Sequence, residues 1–468
     1  MTDDVLATAR AAVETGPLCD PCLGRLVAER SFGLTNRERG RSLRVAVALA
    51  DDVPVGDIEP DDSCWVCEGE STVERVTEWA ERGAYALEEY EFDTFQVGTR
   101  VPPLFEENDR LLREDIGLDP AAGEQLKSEL NREVGKRFGR ETGAEVDFGR
   151  PDVQVTIHPG DDSLDVRVNS AFVYGRYRKL EREIPQTEWP CSDCNGTGLD
   201  RGEVCPVCDG SGYRYETSVE QLTAPVVRDT MGGKSATFHG AGREDVDARM
   251  LERGRPFVIE VERPRTRTVD TDRLQADING FADGAVEVDD VHLVSYEMVE
   301  RVKELDASKT YRMPVEFEES VEADAFDAAL DELRGATIEQ RTPTRVDHRR
   351  ADIVRTREVY DIEGQLVTDD STGDSGTTTD HSGTAAGDPR TATGATVELH
   401  GEGGLYVKEL VSGDEGRTEP SLAGLLGVEA VVTALDVVDV RGEDNPFLVA
   451  EYVRDSGEDG GSASPSWE

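Results

Sequence analysis

"HGAGREDVDARMLERGRPFVIEVERPRTRT", residues 239–268, sets three acids, Glu244, Asp245 and Asp247, among glycines and arginines, and then turns apolar. Two readings fit: a salt-bridged turn entering a strand, or a turn that presents a reacting carboxylate. "GRED" puts Asp245 three residues after Gly242 and two after Arg243, just before "VDARML". A nucleophilic carboxylate must be ionised and aimed, and a nearby arginine helps with both. Spacing alone leaves both readings open. Downstream, "RPRTRT" places Arg263, Arg265 and Arg267 on alternate residues, which in a strand would share one face.

The surrounding chain has 468 residues, 99 acids against 51 bases, and a net charge of −48. Only 7 lysines occur, so 51 − 7 = 44 of the bases are arginine. That balance fits work in concentrated salt, where the Debye length shrinks to about 3 Å and self-repulsion is screened. In such a chain, acidity does not exclude nucleic acid, and local basic clusters weigh more than the total. Apolar periodicity persists through most of the length, which excludes a disordered acidic chain. No apolar run is long enough to span a membrane, and no signal-peptide pattern opens the chain, so a cytoplasmic protein is expected. No coiled-coil or long apolar seam is visible, so a monomer is expected.

All eight cysteines fall into C-x-x-C pairs: Cys19/Cys22, Cys64/Cys67, Cys191/Cys194 and Cys205/Cys208. In a chain without a secretion signal this spacing reads as thiolate zinc sites of structural kind. A helix over about 22–50 is expected between the first two pairs. "CSDCNGTG" and "CPVCDGSG" repeat as C-x-x-C-x-G-x-G, with glycines free to turn backbone N–H groups toward the thiolates. "GEQLKSELNREVGKRFG" sets Leu126, Leu130, Val134 and Phe138 on one helical face, and "PDVQVTIHP" and "SLDVRVNSAFVYG" alternate as half-buried strands. "SVEQL" opens a helix with a Ser218–Gln221 capping box. Residues 368–394 read as a disordered insert, and 456–468 as a disordered tail. "FVYGRYRKLEREIPQT" and "RTPTRVDHRR" are basic stretches suited to phosphate contact. "GGKS" at 232–235 is not a P-loop, because Arg228 stands where its first glycine belongs. No dinucleotide-binding glycine pattern occurs, so no nucleotide cofactor is expected.

Several separate pieces, in order, carry a family resemblance. "GREDVDARMLERGRPFVIEV" resembles the catalytic-loop region of the tenth pseudouridine synthase family of archaea and eukaryotes. "FVYGRYRKLEREIPQT" resembles that family's signature before the catalytic domain, and "GLYVKELVSGDEGRTEPSLAGLLG" its C-terminal motif. The resemblance implies an α+β fold. A four-cysteine zinc module (1–74) and a THUMP-like α/β RNA-binding module (75–170) would precede a catalytic domain (171–455). That domain would hold a mixed, mostly antiparallel sheet flanked by helices, with the zinc knuckle at 191–211. The implied reaction turns uridine into pseudouridine in the TΨC arm of tRNA, positions 54 and 55, without an organic cofactor. By the same resemblance Asp245 is the catalytic carboxylate, Tyr311 in "KTYRMPV" stacks on the target base, and Lys408 in "GLYVKEL" pairs with the aspartate. Leu425 or Leu426 would form the apolar wall. Arg176, Arg243, Arg263 and Arg265 are candidates to hold the RNA, and Glu244 and Asp247 are expected to be structural. The alternatives are a non-catalytic tRNA-binding zinc protein, and a methyltransferase or thiolase on the same RNA-binding region.

Overall fold

The computed structural model describes residues 5–54, 64–305, 307–344, 351–367, 391–441 and 447–454. It divides into two compact units, one of Met1–Ser170 with Glu262–Arg267, the other of Ala171–Val261 with Thr268–Glu468.

The first unit contains a four-stranded sheet in the order Glu145–Val146, Thr94–Thr99, Val153–His158, Ser163–Val168. The first three strands run parallel and the last antiparallel. The helix Leu126–Thr142 buries Leu126, Leu130, Val134 and Phe138, the four-residue stripe read from the sequence. It packs on the helix Val73–Ala86, whose Trp79 is fully buried. The single helix expected over 22–50 is instead two, Asp20–Arg25 and Asn36–Asp51. Thr35 starts the second with a reciprocal capping box to Glu38, which favours a new beginning over a continuous helix. The two helices touch backbone to backbone, since a Cβ on Gly24 would lie 1.8 Å from the Asn36 carbonyl oxygen.

The arginine run after residue 262 is not strand. The strand Arg249–Glu262 ends there, and Arg263 turns to φ +49°. The three arginines therefore share no strand face. Arg263 donates to the Tyr90 hydroxyl at 3.2 Å, Arg265 lies 3.4 Å from Glu89, and buried Arg267 pairs with Asp152 at 3.0 Å.

The second unit is built on an 11-stranded sheet. Its main path runs Val286–Val294, Ala171–Lys179, Arg249–Glu262, Asp436–Arg441, Ser308–Glu322, Thr391–Gly401, Val354–Val367, Thr337–Arg341, Thr418–Glu419. Ser235–Gly240 pairs beside Arg249–Glu262, and Ala430–Val432 beside Ser308–Glu322. Only Arg249–Glu262 with Asp436–Arg441 pairs in parallel among the registered pairs of this sheet, so the sheet is mixed and mostly antiparallel. Helices Val219–Thr230 and Thr271–Ala282 pack together, and Ala323–Leu333 lies on the strand Val354–Val367. Ser218 caps the first of these helices, accepting from the Gln221 N–H. Of the expected insert, 368–390 lies outside the described residues, while 391–394 begin the strand Thr391–Gly401. The expected tail and the arginines 345–350 also lie outside them. No helix among the described residues is long and apolar enough to cross a membrane.

Candidate active site

The stretch "AGREDVDA" is the connection between the strands Ser235–Gly240 and Arg249–Glu262. Gly242 makes the turn at φ +69°, a conformation that costs a side-chain-bearing residue roughly 1–2 kcal/mol. The loop is then pinned from beneath by its own Glu244. That carboxylate is buried, accepts from Arg255 Nε at 2.9 Å and from the Tyr177 hydroxyl at 2.9 Å, and lies 3.9 Å from Lys179 Nζ. Lys179, also fully buried, donates to the carbonyls of Ile184 (2.7 Å), Val246 (3.0 Å) and Asp245 (3.3 Å). Gln186 Nε2 bridges the Tyr177 hydroxyl and the Gly242 carbonyl, both at 2.8 Å. A buried charge costs several kcal/mol unless paired and hydrogen-bonded, and this network meets both conditions. Burial, then the Glu244 charge, holds the Tyr177 phenol well above its ordinary pKa, so it remains the hydrogen donor. Burial pulls Lys179 below its ordinary value against the attraction of Glu244.

The strands explain why these groups meet. Val173, Gly175, Tyr177 and Lys179 alternate onto the inner face of Ala171–Lys179. The partner strand bulges between the pairings Tyr177–Arg255 and Lys179–Met250, with Glu252 at φ +44° and Gly254 at φ +66°. The bulge delivers Arg255 to Glu244, and Arg176 donates to the Arg253 and Gly254 carbonyls at 2.6 and 2.8 Å. On the other side Arg182 donates to the Asp247 and Leu435 carbonyls and to Asp436, which also takes a two-pronged bond from Arg249.

With its backbone fixed this way, Asp245 leaves its side chain 45% exposed in a cavity of about 470 Å³. Tyr311 and Lys408 line the same cavity, with Arg243, Lys309 and Trp189. Lys408 Nζ is 3.7 Å from Asp245 Oδ2 and 2.9 Å from Asp247 Oδ2, so one ammonium serves two carboxylates and bonds the second more closely. Burial, with the Asp245 charge, pushes the half-buried Tyr311 phenol up to about 12 against the opposing pull of Arg255, which keeps the ring neutral. Three of the chain's seven lysines, Lys179, Lys309 and Lys408, thus gather at one loop and its cavity.

Leu425 and Leu426 are not in this cavity's lining. They lie on the short helix Leu422–Leu426, which turns Leu422 into the core, and Leu425 faces a separate groove with Gly413, Arg417 and Ser421. The apolar lining beside Asp245 comes from Leu405, Val407, Leu435 and Val437. The stretch "FVYGRYRKLEREIPQT", expected to contact RNA, instead turns Tyr177 and Lys179 inward and spends Arg176 and Arg182 on backbone carbonyls. Arg243 is exposed at the cavity. The Glu244–Arg255–Tyr177–Lys179 network was not foreseen. Its signal was a lysine on the apolar face of an alternating strand, which demands a buried partner.

The eight cysteines form two closed sets, Cys19, Cys22, Cys64, Cys67 and Cys191, Cys194, Cys205, Cys208, with the sulfurs of each set within 4.8 Å of one another. Sulfur separations of 3.7 Å (Cys19–Cys67, Cys194–Cys208) and 4.0 Å (Cys191–Cys205) fit the edge of a tetrahedron about a zinc, roughly 3.8 Å for Zn–S bonds of about 2.3 Å. Gly198 and Gly212 each donate an N–H to the preceding thiolate, Cys194 and Cys208, at 3.3 Å. Both sets can therefore hold zinc with no open position for chemistry.

Comparison with known proteins bears on the whole chain. Residues 79–158 match the archaeal Pus10 THUMP domain, and residues 172–380 and 381–441 match the family model described as Pus10, C-terminal. The chain belongs to the Pus10 family of tRNA pseudouridine synthases. A protein of Halorubrum lacusprofundi named tRNA pseudouridine synthase Pus10 is 62% identical over 97% of this chain and 100% of its own length. Proteins of the same name from Methanothrix thermoacetophila and Archaeoglobus fulgidus are 41% and 42% identical. They cover 95% and 78% of this chain and 96% and 92% of their own. Among solved structures, a chain of a Cbf5–Nop10–Gar1 complex overlaps 48% of this chain and 46% of its own, at 17% identity and a TM-score of 0.27.

Proposed function

We propose that this Pus10-family chain isomerises uridine to pseudouridine in tRNA, at positions 54 and 55 of the TΨC arm, with Asp245 as the reacting carboxylate. In that reaction the N1–C1′ bond breaks, the uracil turns while held, and C5 bonds to C1′. C5 loses a proton and N1 gains one, so product and substrate have the same atoms and no oxidant or reductant is needed. The observation that carries the reading is the convergence of Asp245, Tyr311 and Lys408, from three distant stretches, on one open cavity.

The residues divide the work. The Glu244 anchor and the Lys179 bonds fix the loop so that Asp245 reaches the ribose of an extruded nucleotide without reorganising. The Lys408 ammonium balances the carboxylate charge during the reaction. The Tyr311 ring offers a face that grips a turning base without direction-specific bonds. Leu405, Val407 and Leu435 exclude water around the cleaved glycosidic bond. Zinc in the two four-cysteine sets is structural in this reading. The enzyme is taken to work as a cytoplasmic monomer with no membrane and no nucleotide cofactor. Arg243 is the exposed cavity residue best placed to meet a phosphate. The non-catalytic alternative is not favoured, because its site would have no use for a half-exposed carboxylate beside an ammonium.

The test incubates unmodified tRNA with the enzyme in high salt and maps carbodiimide-reactive uridines. Modification at 54 and 55 with the parent protein, and none with Asp245→Asn, is expected. Modification surviving in Asp245→Asn removes the assignment.

A further inference from the structure

Trp189 lies outside every motif that pointed to the active site, yet it lines the Asp245 cavity. It is the second residue before Cys191, and the zinc knuckle holds it from both sides. The Arg214 N–H donates to the Trp189 carbonyl at 2.9 Å, Pro190 and Tyr213 form a bridge, and the Cys191 N–H donates to the Gly212 carbonyl at 2.8 Å. The two ends of the knuckle are therefore zipped together beneath the indole. The same closure brings Tyr215 edge-on to Trp189, with ring centroids 5.5 Å apart at 75°. It sets the Arg214 guanidinium 5.7 Å from the centre of each ring. Trp189 and Tyr215 are half-buried and Arg214 is exposed.

We propose that Trp189, Arg214 and Tyr215 form a second nucleotide subsite, which stacks the base next to the extruded uridine and holds its phosphate. The proposal rests on the function argued above and adds a site to it. Drawing one nucleotide out of a strand strips its neighbour of a stacking partner. An aromatic face at the mouth of the cavity that takes the extruded base replaces what the neighbour loses. Tyr311 already serves the target base within the cavity, so the indole at the knuckle side is left for the neighbour. Arg214 is the one cation in the cluster and carries no base preference, which suits a phosphate contact. Stacking tolerates any base, so the subsite contributes affinity and position without reading sequence. The zinc knuckle gains a task in this account: by closing the chain between residues 190 and 213 it fixes an aromatic wall of the active site.

The test is a cycle that pairs protein and RNA changes, run on the Asp245→Asn background so that binding is read without turnover. One arm replaces Trp189 by Ala. The other makes the nucleotide 5′ or 3′ of the target uridine abasic in an otherwise unmodified tRNA transcript. Each change alone is expected to weaken binding about 5- to 100-fold, the range for one stacked base, and the two together should weaken it no further than either does. Trp189→Phe should recover most of the loss, and an intact thermal transition should show that the Ala variant folds. Binding of the parent should quench tryptophan emission more than binding of Trp189→Phe. Losses that multiply for both neighbours, or a Trp189→Ala protein that binds as tightly as the parent, overturn the subsite. A failure of the isomerase reading would show separately, as absent pseudouridine with a protein that still binds tRNA.

Discussion

Lys179 is the side chain on which the loop geometry leans most heavily, and replacing it by methionine keeps the length and removes the charge. The substitution strands the carbonyls of Ile184, Asp245 and Val246, which the ammonium now meets at 2.7 to 3.3 Å with no exposure to solvent. Hydrogen bonds to a charged group contribute about 1.5–3 kcal/mol each, and breaking a buried charged cluster costs about 3–5 kcal/mol in all. For a unit of this size that is a drop of roughly 6–20 °C in Tm. The loop itself should also shift, and a displacement near 1 Å costs about 100-fold in kcat. Thermal unfolding in concentrated salt and single-turnover pseudouridine formation read the two effects. Lys136→Met, an exposed lysine on the helix Leu126–Thr142, is the control and should stay within about 0.5 kcal/mol. Lys179→Arg should fail as well, because a flat guanidinium cannot aim three donors at three carbonyls in that space. A Lys179→Met protein with unchanged Tm and kcat refutes the argument.

Replacing Tyr311 by Phe should leave most activity, whereas Tyr311→Ala should lower kcat/KM about 5- to 100-fold, because the proposed stacking uses the ring's face and not its hydroxyl. Lys408→Met should lower kcat by roughly 100-fold, while Asp247→Asn should change it only a few-fold, since the ammonium still has Asp245 at 3.7 Å. Burial acts to raise the Asp436 pKa, but bonds from Arg249 and Arg182 outweigh it and hold the carboxyl below its ordinary value. Its stabilisation is complete above about pH 3.9 and fades as pH falls further through the folded value. The Tm gap between parent and Asp436→Asn should therefore close as pH is lowered through that range. Elemental analysis should find two zinc ions per chain, one for each four-cysteine set, and a chelator should release both and lower Tm.

Much of this architecture could be read from residue patterns. The spacing of Leu126 to Phe138, the alternation of Val153 to Ile157, the Ser218 cap and the cysteine pairing are local or periodic, and each meets its expected element. Asp245 was singled out by the family resemblance of its segment, because spacing alone fits a salt-bridged turn as well as a reacting carboxylate. Contacts set by tertiary structure were not legible. "FVYGRYRKLEREIPQT" looked like an RNA surface because composition cannot say which way a strand faces. One residue of register decides whether a lysine meets phosphate or a buried glutamate. "RPRTRT" failed through a single backbone angle at Arg263, which ends the alternation. Leu425 and Leu426 miss the cavity because their five-residue helix packs them, with Leu422, on a neighbouring core, a placement that residue order does not show. Trp189 could not be picked out, because its place depends on the closing of the cysteine loop between residues 190 and 213.

The parallel seam between Arg249–Glu262 and Asp436–Arg441 has a temporal side. Arg249 and Arg182, which brace the Asp245 loop, both end on Asp436, a residue that leaves the ribosome nearly two hundred positions after the loop itself. A nascent chain that has exposed the loop but not the strand Asp436–Arg441 lacks the brace, along with Leu435 and Val437 of the cavity wall. Modification of RNA is then expected to begin only after residues 435–441 have emerged, and fragments that stop short of them should be inert however well their four-cysteine modules fold.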